Sequence, residues 1–216
     1  MARTACRHTA AAVLCAMLCL VGISAPASAD SPDARAAEDL VLAVYFEGMP
    51  EERARQLTPS GAAHLIELLR AGDHERFHAN MVLALGISGH EQAFETLEWY
   101  GRDEPGDLAP GVSRARIAAA IAMGHLARGD DRALAWLTKR ARASNVAPHW
   151  RRAERRSDGL ADTLWMQVMN GLAVSGRIGA AEVLDEMRRE GTDARAGAAL
   201  QMFHQLRTKA ESGTAR

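Results

Sequence analysis

The residues best suited to chemistry are His74-Glu75-Arg76-Phe77-His78, a literal H-E-x-x-H. If the segment were helical, positions i and i+4 would place both imidazoles on one face. They could then hold one Zn²⁺ while Glu75 acts as general base on the metal-bound water. Such a site needs a third ligand, and Glu95 and Glu98 fall on the next predicted helix. Elsewhere the chemical inventory is thin. The chain has no glycine-rich phosphate loop, no G-x-S-x-G elbow and no dinucleotide fingerprint. His125 and His204 lie on or beside apolar stripes, which favours core or boundary positions over ligation. Asp103, Glu104 and Asp107 cluster in GRDEPGDLAPG (101–111), without the order of ligands that a calcium loop requires.

The spacing from 74–78 to Glu95 or Glu98 resembles that of gluzincin metallopeptidases. That family carries its motif deep within a helix, with uncharged residues at both x positions and a neighbouring strand that aligns substrate. In this chain Arg76 is charged, Asp73 marks a helix only beginning, and no strand candidate accompanies the motif. His74 and His78 also share a stripe with Phe77, Met81 and Leu85, as packing residues would. The expectation is therefore no metal and no cofactor, with a small zinc-dependent hydrolase at 74–78 as the alternative.

The elements that would carry these residues are helical. Thr58 before Pro59 is a plausible N-cap, Pro50 sits where a first turn tolerates it, and Asp73, Ser113, Asp158 and Thr192 suggest further starts. Leu160, Leu164, Val168 and Leu172 recur at helical spacing, with Trp165 and Met169 beside them, and so do Ala199, Met202, Phe203 and Leu206. About eight or nine helices are expected, and no strand. Three segments share Gly-x-x-x-Ala-x-x-x-Leu: Gly89/Ala93/Leu97, Gly129/Ala133/Leu137 and Gly176/Ala180/Leu184, with a looser copy at Gly61/Leu65/Leu69. In this frame the glycine ends one helix through a positive φ, the alanine admits close helix approach, and the leucine fills the seam. The glycines are 28, 40 and 47 residues apart, so the copies are degenerate.

Residues 114–137 (RARIAAAIAMGHLARGDDRALAWL) resemble a HEAT-like repeat of the phycobilisome-lyase-like subgroup. Arg116, Ala118–Ala120, Gly124, Asp130–Asp131 and Arg132–Leu137 occupy the matching places. Residues 73–100 and 158–190 match less closely. The resemblance implies an all-α fold, an α-solenoid of degenerate helical pairs that binds proteins, and no bilin-lyase residues map onto this chain. Residues 168–191 also resemble one pentatricopeptide repeat, an RNA-reading unit, but the strict tandem period is absent.

Destination is legible at the N-terminus. Arg3 and Arg7 precede an uncharged run at 10–23, followed by overlapping A-x-A sites ending at Ala27 and Ala29. This order is that of a secretory signal peptide, residues 1–29, and the run is too short to span a bilayer as a helix. Cys6, Cys15 and Cys19 all lie within it, so the mature chain would carry no cysteine, disulfide or thiolate site. A periplasmic or secreted protein is expected. Residues 30–35 should be a disordered N-terminus, 36–207 the helical repeat domain and 208–216 a disordered tail.

Composition excludes some classes outright. Among 216 residues, 25% are charged and 48% apolar, unlike a disordered chain, and a net charge of -1 excludes a uniformly cationic nucleic-acid binder. That total conceals two opposed halves. Residues 30–107 carry 16 acids and 6 arginines, whereas residues 108–216 carry 11 acids and 18 bases. The positive charge concentrates in KRARASNVAPHWRRAERR (139–156), which holds seven bases, one acid and Trp150. A basic, tryptophan-bearing loop suits an acidic protein surface or an envelope contact. Arg140, Arg142, Trp150, Arg151, Arg152, Arg155 and Arg156 are accordingly the expected partner-binding residues, and the acidic loop 102–107 is the second candidate. Trp99 and Tyr100, beside that loop, are either interface anchors or core. The function expected is a non-catalytic module for protein–protein binding or assembly, with no nucleic-acid partner and no transmembrane segment in the mature chain.

Overall fold

A computed structural model describes residues 31–102, 106–142, 150–152, 160–191 and 194–213. The expected signal peptide, Asp158, Thr192, Arg155 and Arg156 lie outside the described residues. The fold is all-α, with ten α-helices among the described residues: α1 (Pro32–Val41), α2 (Glu51–Arg55), α3 (Pro59–Ala71), α4 (His78–Ser88), α5 (Ala93–Tyr100), α6 (Pro110–Leu126), α7 (Asp131–Arg142), α8 (Leu160–Ser175), α9 (Ile178–Arg189) and α10 (Ala194–Gly213). A 3₁₀ turn, Glu75–Phe77, leads into α4. No described helix is long and apolar enough to cross a membrane.

Two helical ends extend further than the sequence suggested. Residues 32–35, expected to be disordered, form the first turn of α1, because Ser31 Oγ accepts from the Ala34 N–H and Pro32 supplies a preset φ. Residues 208–213, assigned to a disordered tail, continue α10. The predicted cap at Thr58 is present: its hydroxyl accepts from the Gly61 N–H and donates to Asp33, joining α3 to α1. Ser113 starts nothing. α6 opens three residues earlier at Pro110, and Ser113 is buried in its first turn.

The helices pack mainly against sequence neighbours and against the next but one. α4, α6 and α8 form a central spine, with α10 against α8, while α5, α7 and α9 each pack against the helices before and after them. The spine owes its closeness to glycines inside helices. A Cβ on Gly86 of α4 would lie 2.3 Å from the Ala122 carbonyl oxygen of α6, and one on Gly124 of α6 would lie 2.3 Å from that of Gly171 in α8. Only glycine permits backbones to approach so far. The alanines and leucines of the recurring frame, Ala93, Ala133, Ala180, Leu97, Leu137 and Leu184, are all fully buried. A buried leucine contributes about 2 kcal/mol of hydrophobic stabilisation, so the three leucines are substantial anchors.

The frame's glycines divide. Gly89 and Gly176 have φ of 74° and 65° and end α4 and α8, as expected. Gly129 has no positive φ; α6 has already ended at Leu126, and the chain turns through Ala127 instead. Gly61 lies within α3 and serves close approach, its α-carbon facing the Asp33 carbonyl and the Ala37 methyl of α1. Leu206, placed on an apolar stripe by spacing, is exposed near the end of α10.

Two three-residue strands accompany the helices, too short to carry a sequence period. Residues Gly106–Leu108 (β1) and Trp150–Arg152 (β2) form a two-stranded parallel ladder, with Gly106 opposite Trp150, Asp107 opposite Arg151 and Leu108 opposite Arg152. β2 also rests on α6 and α8.

Candidate functional site

The H-E-x-x-H segment is not one helix. α3 ends in a Schellman motif: Gly72 takes φ of 78°, its N–H donates to the Leu69 carbonyl, and the Asp73 N–H donates to the Leu68 carbonyl. His74 follows in the left-handed region at φ of 54°, an unusual conformation for a residue with a side chain. The 3₁₀ turn comes next, and α4 starts only at His78. The two imidazoles therefore do not share a helical face: His74 is exposed and His78 buried.

The remaining members are committed to the fold. His78 Nε2 lies 2.9 Å from the Asp73 carbonyl oxygen, to which it donates, and its Nδ1 accepts from the Tyr100 hydroxyl at 3.0 Å. Both ring nitrogens are thus engaged within the fold. Burial, with a smaller contribution from Glu75, raises the Tyr100 phenol to about 12 against the opposing Arg116 charge. Tyr100 stays protonated at neutral pH and acts as a donor, not a base. Glu75 Oε1 accepts from the Gly111 N–H at 3.1 Å, so its carboxylate caps the first turn of α6. Among the described residues, no group of three or more His, Asp or Glu side chains is placed to hold a metal ion.

Above this buried pair lies a cleft of about 380 Å³ between α3 and α5, lined by Leu69, Arg70, Glu95, Thr96, Trp99 and Arg102 among others. Trp99 is 43% exposed and meets Tyr100 edge-on, with ring centroids 4.8 Å apart. Arg116, buried within α6, donates to the Arg102 carbonyl at 2.9 Å and stands 5.7 Å from the Trp99 ring. It ties the start of the acidic loop to the spine. A second cleft of about 470 Å³ continues along the same helices past Glu67, Glu91 and Glu95. Arg132 lines it too, but its guanidinium is held by Asp130 at 2.7 Å, which keeps that carboxyl below the usual range. Trp99 thus belongs to the surface and Tyr100 to the core.

The expected partner-binding residues are divided between fold and loop. Arg140 stacks on Trp136, with the guanidinium 5.1 Å from the ring centroid, and Arg142 pairs with Glu186 of α9 at 2.7 Å. Both serve the α7 surface. Trp150, Arg151 and Arg152 form β2 and pair with Gly106–Leu108 of the same chain, Arg151 standing opposite Asp107 in the backbone register. The sequence contained both charged segments; their pairing was hidden because three-residue strands are too short to carry a period.

His125 is buried within α6, and its Nδ1 has no hydrogen-bond partner among the described residues. Burial, reinforced by Arg128 and Arg55 against Glu51, lowers it to about 4. It is a neutral core histidine at physiological pH. His204 is exposed on α10 and packs edge-on against Phe203. Comparison with protein-family models, with curated proteins and with solved structures found no match.

Proposed function

We propose that this is an exported, non-catalytic α-solenoid of HEAT-like helical pairs that binds or assembles protein partners, using the 139–156 loop. The observation that supports this reading is the β1–β2 ladder, in which residues 106–108, at the acidic segment, pair with residues 150–152 of the basic one beside α6 and α8. A composite surface of that kind suits a folded partner better than either loop alone. The sequential packing of helix pairs supports the solenoid reading, since each pair in such an array contacts only its neighbours. The occupied nitrogens of His78 and the capping role of Glu75 favour this reading over a zinc hydrolase.

The test is affinity capture from the cell envelope or secreted fraction, with the exported protein as bait. A variant with Arg151, Arg152, Arg155 and Arg156 changed to Glu is expected to lose the partner while keeping the helical CD signal. Undiminished capture by that variant would refute the role of the loop.

A further inference from the structure

The helices outside the spine leave space between them. α4, α6 and α8 abut backbone to backbone, whereas α3 and α5 touch at few points. The two clefts between α3 and α5 share Arg70 and Glu95 as lining residues, so they form one groove. Its walls are held in place. Gln92 donates from Nε2 to the Pro59 carbonyl at 2.8 Å, and the Arg132 guanidinium donates to the Glu91 carbonyl at 3.3 Å, which ties the start of α5 to α3 and α7. At the far end of α5, Trp99 is braced by the Tyr100 ring and by Arg116. A groove formed before its ligand arrives loses little freedom on binding. Eleven helical steps separate Glu91 from Arg102, about 16 Å at 1.5 Å per residue. That length matches about five residues of extended peptide.

Charge is arranged along the groove. Beside the start of α5, Glu67, Glu91 and Glu95 have no ion-pair partner among the described residues, while Arg132 is neutralised by Asp130. At the Trp99 end, Arg70 and Arg102 flank a recess walled by Leu69, Thr96 and Trp99, and neither guanidinium has an ion-pair partner among the described residues. Thr96 is only 9% exposed, and its hydroxyl makes no hydrogen bond among the described residues. A nearly buried hydroxyl in that state calls for a polar group from outside the chain.

We infer that this groove binds the C-terminal end of a partner polypeptide that is basic and finishes in an apolar residue. The last side chain and the terminal carboxylate of a peptide leave the same α-carbon. They therefore match an apolar recess with guanidiniums on its rim, where Arg70 and Arg102 take the carboxylate and Trp99 packs on the side chain. The Thr96 hydroxyl meets the peptide backbone. Basic residues upstream run toward Glu67, Glu91 and Glu95. Charge thus fixes the direction of the peptide as well as its composition. The site uses no residue of the 139–156 loop, so it stands or falls separately from the role given to that loop.

The test is an NMR titration of the isotope-labelled exported protein with the pentapeptide KKAKF, followed at the indole signal of Trp99, which Trp99→Phe identifies. The signal should shift and saturate by about millimolar peptide, a contact of about 4 kcal/mol. The C-terminal amide of the same peptide, the acidic peptide EEAEF and the variant Arg70→Glu should each weaken binding by about tenfold or more. Arg70 is exposed, so its replacement leaves the fold in place. The variant with Arg151, Arg152, Arg155 and Arg156 changed to Glu should bind KKAKF as the wild type does. A Trp99 signal unmoved by several millimolar KKAKF overturns the proposal. An amide that binds as tightly as the free acid also overturns it, since an internal segment would then be the occupant, and so does equal binding of EEAEF.

Discussion

The most quantitative prediction concerns His125, because its burial couples folding to protons. In the unfolded chain its imidazole titrates near 6.5; in the folded protein it does so at about 4. Between those values the unfolded state binds the proton and the folded state does not, so stability is fully present above pH 6.5 and falls as the pH drops toward 4. The gap of about 2.5 corresponds to about 3 kcal/mol, an appreciable share of a typical folding free energy. The structural cause is explicit: burial disfavours the protonated ring, the Arg128 and Arg55 charges add to that against Glu51, and Nδ1 has no acceptor. The assay is urea unfolding followed by far-ultraviolet CD at several pH values from neutral to 4, on wild type and His125→Gln. Carboxylates held low by arginines, such as Asp130 and Asp185, contribute equally to both proteins and cancel in the comparison. Wild type should lose about 3 kcal/mol more than the variant over this range. Parallel pH profiles, or an NMR titration of His125 in the folded protein near 6.5, would refute the reasoning.

Four further outcomes follow from the packing and the caps. Gly86→Ala and Gly124→Ala should each destabilise by about 3 kcal/mol in urea unfolding, because the new methyl meets backbone on the facing helix. Gly129→Ala, with open space and no positive φ, should be neutral or stabilise by up to about 1 kcal/mol. Tyr100→Phe should cost about 1–2 kcal/mol by leaving His78 Nδ1 buried without a donor, a loss read from the shift in the urea midpoint. Thr58→Ala removes both the α3 cap and the link to Asp33, and should lower stability by about 1–2 kcal/mol by the same measurement.

The architecture was more legible in the sequence than the site was. Ala93, Leu97 and their counterparts announced their burial through spacing, because helical periodicity and side-chain burial have one cause. Thr58 was readable because a cap depends on its immediate neighbours. Gly86 and Gly171 were overlooked as contact points, although an isolated glycine within an apolar helix is itself a sign of close approach. The error at 74–78 was also local: Gly72 was available as a helix stop, but Asp73 was read as a start, and the left-handed turn at His74 separates the two histidines. What sequence spacing could not reveal was the tertiary use of single groups. Tyr100 meets His78 across 22 residues, and Glu75 caps a helix 36 residues on.

The glycine notches of the spine have a consequence for how such a chain can diverge. The alignment of α4 on α6, and of α6 on α8, is fixed at mid-helix points where backbone meets backbone. The connecting segments add smaller ties, such as the Glu75 carboxylate on the first turn of α6 and the Arg102 carbonyl on Arg116. A spine fixed in this way tolerates connections of different length and charge, and the steps between frame glycines are indeed unequal, at 28, 40 and 47 residues. Recognition can change in the loops while the helices beneath keep their places.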